Sequence, residues 1–281
     1  MEKFERSWRI MKASWDLLRQ DKEILLFPVL SGLSLFLILL SFAVPVIALG
    51  GVDTVHRIAR HNGAVGNLVV LFAFYLINYF VILFFNTAIV ACATIRMRGG
   101  NPTVGDGLHA ASTRLFEIAG WAVVSASVGM LLRTIEERSR LVGRIVAGLL
   151  GMAWGITSYL VIPILVNERK GPMEAFQESA RLLKKTWGEE LIGGYSFGLV
   201  FFVLSMPAVA LVYGGVASGS GIPSLALFAL AVFYLVSLAV VQAALQGIFQ
   251  AALYQYARKG EAPRGFERDV LNEAVTPRSF G

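Results

Sequence analysis

The chain has 281 residues, of which 56% are hydrophobic and 16% charged, and its mean hydropathy is +0.65. Soluble domains run about half apolar and a quarter charged, so this composition excludes a water-soluble globule, a disordered tail and a fibrous repeat, and points to an all-α, polytopic helical membrane protein. The net charge of +6, from 25 Lys and Arg against 19 Asp and Glu, is read as loop charge facing an anionic leaflet, with no nucleic-acid partner expected.

The first 23 residues are charged and amphipathic. Phe4, Trp8, Met11, Trp15 and Leu18 follow steps of four, three, four and three, one stripe of a helix. Such a helix lies in the headgroup plane with Trp at the boundary, or packs on the cytoplasmic ends of the spans. Between Glu2 and Glu23 there are 6 basic and 5 acidic residues, and a net +1 is weak attraction for anionic lipid.

Six apolar runs follow: Ile24 to Leu49, Gly66 to Ile95, Leu115 to Leu132, Ile145 to Val166, Leu191 to Tyr213 and Ser224 to Tyr256. The first is too long for the apolar stretch of a secretory signal and reads as a retained span. The second and sixth exceed what a roughly 30 Å hydrocarbon core requires, so they are expected to tilt or project. Segments on the side of the N-terminus hold 19 Lys and Arg and the opposite segments 6, which places both termini in the cytoplasm of a cell whose inner membrane the chain crosses. His56 and His61 fall in the first outer segment, read as a solvated loop. Gly214 to Gly221 reads as a flexible outer turn.

An internal repeat organises these runs. Phe4 to Trp15 aligns without gaps on Phe176 to Trp187, with Phe, Ser, Arg, Lys and Trp coinciding. Phe4, Trp8, Trp15, Phe176 and Trp187 are therefore the candidate membrane-surface anchors. A helix stop of glycine then proline closes each even-numbered span, after Arg98, Arg169 and Arg258. The fold expected is a single membrane domain, residues 1–281, of three parallel repeats of one amphipathic surface helix and a two-span hairpin. The copies cover about 2–100, 101–171 and 172–262, with a cytoplasmic tail at 263–281.

Ionisable groups are not gathered anywhere as catalysis requires. There is no His-Glu-x-x-His, Gly-x-Ser-x-Gly or phosphate-binding loop, the one cysteine, Cys92, lies inside an apolar run, and no Asp, Glu, Lys or Arg falls clearly at mid-depth in a span. No catalytic residue, metal ligand or cofactor is assigned. The uncharged polar residues form the one candidate layer. Alignment on the three arginines brings Asn86, Thr157 and Gln246 to one depth, and Gln242 and Gln250 extend it along the sixth span. They are interhelical glue or the lining of a wet cavity. Stripes of small residues, such as Gly143, Ala147, Gly151 and Gly155, read as helix-packing surfaces.

The opening Phe4-Glu5-Arg6-Ser7-Trp8-Arg9, with Lys12-Ala13-Ser14-Trp15 and Asp21 to Pro28, resembles an uncharacterised family of bacterial and archaeal six-span membrane proteins, a domain of unknown function. The resemblance implies a polytopic inner-membrane protein and brings no activity with it. More distantly, the alternation of surface helix and span is similar to the membrane region ahead of some glycerophosphodiester phosphodiesterases, without their catalytic metal ligands. The function expected is that of a non-enzymatic scaffold or lipid-interacting protein, with membrane lipids, other membrane proteins or a second copy as partners. A facilitator of an uncharged or amphiphilic small molecule comes second and a membrane-embedded enzyme third.

Overall fold

The computed structural model describes residues 2–48, 51–138, 142–187 and 197–273. They are helical, with no strand among them. In chain order the helices are α1 (Glu2–Gln20), α2 (Leu26–Ala48), α3 (Val52–Met97), α4 (Val104–Ser112), α5 (Leu115–Arg138), α6 (Val142–Thr157), α7 (Val161–Glu168), α8 (Pro172–Trp187), α9 (Phe197–Ala217), α10 (Ile222–Lys259) and α11 (Arg268–Glu273). Six segments are long and apolar enough to cross a membrane: Lys22–Pro45, Val65–Met97, Leu115–Glu137, Val142–Glu168, Val200–Ala217 and Ile222–Lys259. They match the six expected runs to within a few residues, apart from the start of the fifth, where Leu191 lies outside the described residues.

Two local readings are corrected. The segment holding His56 and His61 is helical; Val52 opens a helix that breaks at Gly63, whose φ of 66° and ψ of −178° are open to glycine and strained for other residues. The glycine-rich stretch is a turn only over Ser218 to Gly221, because α9 continues through Gly214 and Gly215 to Ala217. Gly215 lies close under α10: a Cβ there would sit 3.2 Å from the Phe228 ring, which would have to shift by a few tenths of an ångström. The Ser224 hydroxyl donates to the Gly215 carbonyl at 2.8 Å and ties the same corner.

The chain divides into two compact units. One comprises residues 1–28, 92–104 and 182–281. In it α1 packs against α9, α10 and α11, and the last turns of α10, from Ala244 to Tyr256, are buried almost without interruption. The apolar side chains Leu245, Ile248, Phe249 and Leu253, with Leu17, Leu18, Ile24 and Phe27, make its core, each contributing about 1.5–3 kcal/mol where removed from water.

The second unit comprises residues 29–91 and 105–181. Its α5 and α6 form a hairpin in which Gly143 is close-packed: a Cβ there would meet the Ile135 carbonyl oxygen at 2.5 Å. Only part of the expected small-residue stripe packs in this way, since Gly155 has open space around its Cα. Span four is not one helix. It stops at Thr157, turns through Ser158 to Leu160, and resumes as α7 at Val161. The aromatic residues of span two stack on one another and on α2, with the Phe42 and Phe74 rings edge to face at 5.4 Å.

Candidate functional site

Helix α1 carries the densest combination of aromatic and basic side chains outside the apolar spans. It ends where Asp21 leaves helical geometry, at φ −139° and ψ 75°. Asp21 Oδ2 accepts a hydrogen bond from Arg96 Nε at 2.6 Å, with the Asp side chain 7% exposed and the Arg 20%. Arg96 Nη2 also donates to the Gln20 carbonyl at 3.3 Å and to Asn101 Oδ1 at 2.7 Å. Glu23 accepts from the Val104 N–H at 3.1 Å. One guanidinium thus satisfies the Gln20 carbonyl at the end of α1 and anchors the entry into span one.

This arrangement changes the charge that α1 presents. Asp21 is buried and paired with Arg96, so it does not offset the outward cations as the sequence count supposes, whereas Glu23 stays exposed and keeps its charge while accepting from the Val104 N–H. The helix itself, Glu2–Gln20, holds five basic and three acidic residues.

Ile10, Met11, Ser14, Leu17 and Leu18 are buried, and at about 100° per residue they define one inward face. Trp8 and Trp15 stand on its flank, 48% and 37% exposed. The stripe read from the sequence is therefore divided, with Met11 and Leu18 inward and the two indoles at the edge. Lys12 and Arg19 follow one step farther round, both exposed, and Asp16 lies beyond them. The Arg19 guanidinium carbon sits 5.7 Å from the Trp15 ring centre, a cation–π distance.

Beneath this flank runs an open groove of about 270 Å³, lined by Trp8, Met11, Lys12, Trp15, Phe201, Leu204, Leu238, Val241 and Leu245. Lys12 is its one ionisable residue, and only carbon surface faces the space. The α9–α10 wall is fixed by the Tyr234 hydroxyl, which donates to the Leu204 carbonyl at 2.6 Å. Among the described residues that line it, Lys12 alone carries a charge and the others are apolar or aromatic.

The other predicted anchors have different surroundings. Phe176 stacks on Trp154 with ring centres 5.0 Å apart and on Trp121 at 6.0 Å, and the two indoles stack at 5.3 Å. The side chains of Phe4 and Trp187 lie outside the described residues.

Of the polar-layer residues, Asn86, Gln242 and Gln246 are half-buried and Gln250 is buried. Thr157 terminates α6, and its hydroxyl donates within its own helix, to the carbonyls of Ala153 at 2.7 Å and Trp154 at 3.2 Å. Gln246, Gln242 and Gln250 belong to the first unit and Asn86 and Thr157 to the second.

The Thr157 backbone holds the more definite site. The buried Ser179 hydroxyl donates to the Thr157 carbonyl at 2.6 Å and accepts from the Leu160 N–H at 3.1 Å. The two backbone groups freed by the break in this apolar segment are thereby paired, as buried backbone groups require. Sequence reading passed over Ser179, although its coincidence with Ser7 in the repeat alignment was the available signal.

Near the end of α7, Glu178 accepts from Arg181 at 2.8 Å and lies 3.4 Å from the Lys170 ammonium, which also donates to Glu168 at 2.8 Å. The hydrogen bond to Glu168 holds the Lys170 pKa above its ordinary value, against a smaller opposing effect of burial. Arg114 donates to the Val166 carbonyl at 3.1 Å, and burial and the neighbouring Arg169 push its pKa down.

The signature arginines close their spans with left-handed residues at shifted positions: Gly99 follows Arg98, Arg169 itself takes φ 52°, and Gly260 stands two beyond Arg258. Among the described residues no three His, Cys, Asp or Glu are grouped to hold a metal ion.

No curated protein and no solved structure matches the chain significantly. A family match extends from span two to just beyond span six and leaves out α1 and span one. With residues 65–265 matched, most of its length, the chain belongs to the Family of unknown function (DUF6159).

Proposed function

We propose that this is a non-enzymatic integral membrane protein that organises lipid, and through it partner proteins, at the cytoplasmic face of a bacterial or archaeal inner membrane. The observation that carries this reading is the flank of α1, where Trp8, Lys12, Trp15 and Arg19 alternate indole and cation beside an apolar groove. Indoles with an apolar body and a polar edge favour the membrane boundary, and basic side chains beside them reach phosphates. Withdrawal of Asp21 into its pair with Arg96 strengthens that reading beyond the sequence count. Both termini lie in the cytoplasm, on the 19 to 6 asymmetry of basic residues.

The architecture belongs to the same proposal: three parallel copies of a surface helix and a two-span hairpin. Its support is that Ile10 and Met11 of α1, and the aligned Leu182 and Leu183 of α8, are all buried, and that a left-handed residue closes each even-numbered span. The distant likeness to the membrane region of glycerophosphodiester phosphodiesterases rests on the same alternation.

Depth-resolved quenching tests the lipid reading. The emission of Trp8 and Trp15, taken as the difference between the native chain and Trp8→Phe/Trp15→Phe, should be quenched by lipids labelled near the headgroup in vesicles. Full quenching by aqueous iodide with none by labelled lipid refutes it.

A second reading, a facilitator of an uncharged or amphiphilic solute, draws support from the interrupted span four, since broken helices line binding sites in transporters. Ser179 and Thr157 lie at that break. Solute uptake by proteoliposomes that Thr157→Val abolishes would favour it over the first.

A further inference from the structure

We propose that the groove between α1, α9 and α10 holds one acyl chain of an anionic glycerophospholipid, with its phosphate at Lys12 and Arg19. This rests on the lipid-organising reading and goes beyond it, from adsorption at a surface to a defined site with one lipid in it.

The shape and lining select the tail. The space of about 270 Å³ exposes only carbon, from Trp8, Met11, Trp15, Phe201, Leu204 and Leu238 among others. A polar solute would lose its hydration there and gain no hydrogen bond, whereas a hydrocarbon chain loses nothing it had in the bilayer and gains close packing. The groove's wall is preformed, because Phe201 and Leu245 are buried and Tyr234 is tied to Leu204.

Charge complementarity selects the head. Lys12 reaches the rim from inside the lining, and Arg19, two turns along the same flank, is oriented over Trp15. Among the described residues neither forms an ion pair with a carboxylate. Asp16 is the one acid of α1 near them, so the flank keeps a net positive charge. Two cations at the mouth of a carbon-lined groove against the one carboxylate of Asp16 favour a lipid with a net negative head over a zwitterionic one.

The test uses the full chain, stripped of lipid in mild detergent and titrated with phosphatidylglycerol or phosphatidylcholine of the same acyl chains. Bound lipid is counted by native mass spectrometry. The expected result is one phosphatidylglycerol retained per chain in preference to phosphatidylcholine. Lys12→Ala and Arg19→Ala should each weaken retention about fivefold, a typical effect of one basic residue at a membrane surface. Leu238→Trp, which fills the groove, should abolish retention, while glycerophosphoglycerol, the same head without tails, should not bind.

Both alanine changes are at exposed positions, so loss of fold does not explain their effect. Equal retention of the two lipids overturns the proposal. So does retention indifferent to Leu238→Trp, which marks adsorption by the head alone, and so does a dimer that Leu238→Trp dissociates, which gives the groove to a second copy. The quenching experiment above is read separately. Interfacial Trp8 and Trp15 without a retained lipid remove the site and leave the lipid-organising reading standing, whereas indoles quenched by iodide alone remove that reading itself.

Discussion

Helices α1 and α8 share a sequence pattern and use it differently. Both bury the aligned pair at the middle of the helix, Ile10 with Met11 and Leu182 with Leu183. Beyond that pair the surroundings diverge. Helix α1 carries Trp8 and Trp15 at an exposed edge with Lys12 and Arg19 beside them. Helix α8 has Ala180 where α1 has Trp8, places Phe176 in an aromatic stack, and directs Ser179 into the break of span four. The comparison shows that an amphipathic pattern settles which face turns inward, while the neighbours decide whether the edge of that face stays exposed or is packed against protein.

The strongest way to break the comparison is at the end of α1. Arg96→Met leaves Asp21 buried without its partner, and the expected loss is about 3 kcal/mol, at the low end for a broken buried pair because Arg96 keeps some solvent contact. Thermal unfolding in detergent measures it. A change below about 1 kcal/mol would mean that α1 is held by packing alone and that its charged end is incidental.

The next effect belongs to α8. Ser179→Ala removes the partner of two backbone groups in the turn after Thr157, and about 2 kcal/mol of stability should go with it. In α1 the contrasting position is Ser14. Its hydroxyl is buried and makes no hydrogen bond among the described residues, so Ser14→Ala should change stability by less than about 0.5 kcal/mol. Equal losses for the two serines would erase the distinction between a helix that supports a broken span and one that does not.

A smaller loss than that of Ser179→Ala sharpens the electrostatic side. Lys170 is held above its ordinary pKa of 10.5 chiefly by Glu168. Its folded value exceeds its unfolded one, so its contribution is complete below pH 10.5 and disappears as pH rises through the folded value. Lys170→Met should cost under about 1 kcal/mol at neutral pH and flatten the alkaline limb of the stability curve. An unchanged limb would show that the Glu168 and Glu178 contacts add nothing.

The candidate site was partly legible. Phe4, Trp8, Met11, Trp15 and Leu18 at helical spacing announce an amphipathic α1, and the structure has that helix. The periodicity does not distinguish residues at the centre of the inward face from those on its flank, so Trp8 and Met11 read alike and only the packing separates them. Lys12 and Arg19 stand at the same spacing from the indoles, yet a count of charges along the whole segment hides them. Asp21 cancels one of them on paper, although in the fold its carboxylate is buried against Arg96.

Ser179 was legible as a coincidence with Ser7 and not as a ligand of the backbone, because nothing in an apolar run marks where its helix will break. In Gly214 to Gly221 the composition suggested a turn, yet α9 continues to Ala217, with Phe228 packed close over Gly215. A signal for flexibility and one for tight packing are the same residue type.

Six hydrophobic spans, their lengths and the helical class were determined by the sequence alone, because hydrocarbon tolerates a backbone only when its polar groups are paired within the segment, and composition suffices to mark such segments. The pairing of Asp21 with Arg96, 75 positions apart, the interruption of span four and the carbon-lined groove under Trp8 and Trp15 were decided only by tertiary structure. Each depends on which side chain of a distant element arrives at a given point, and that is a property of three-dimensional packing that no local spacing contains.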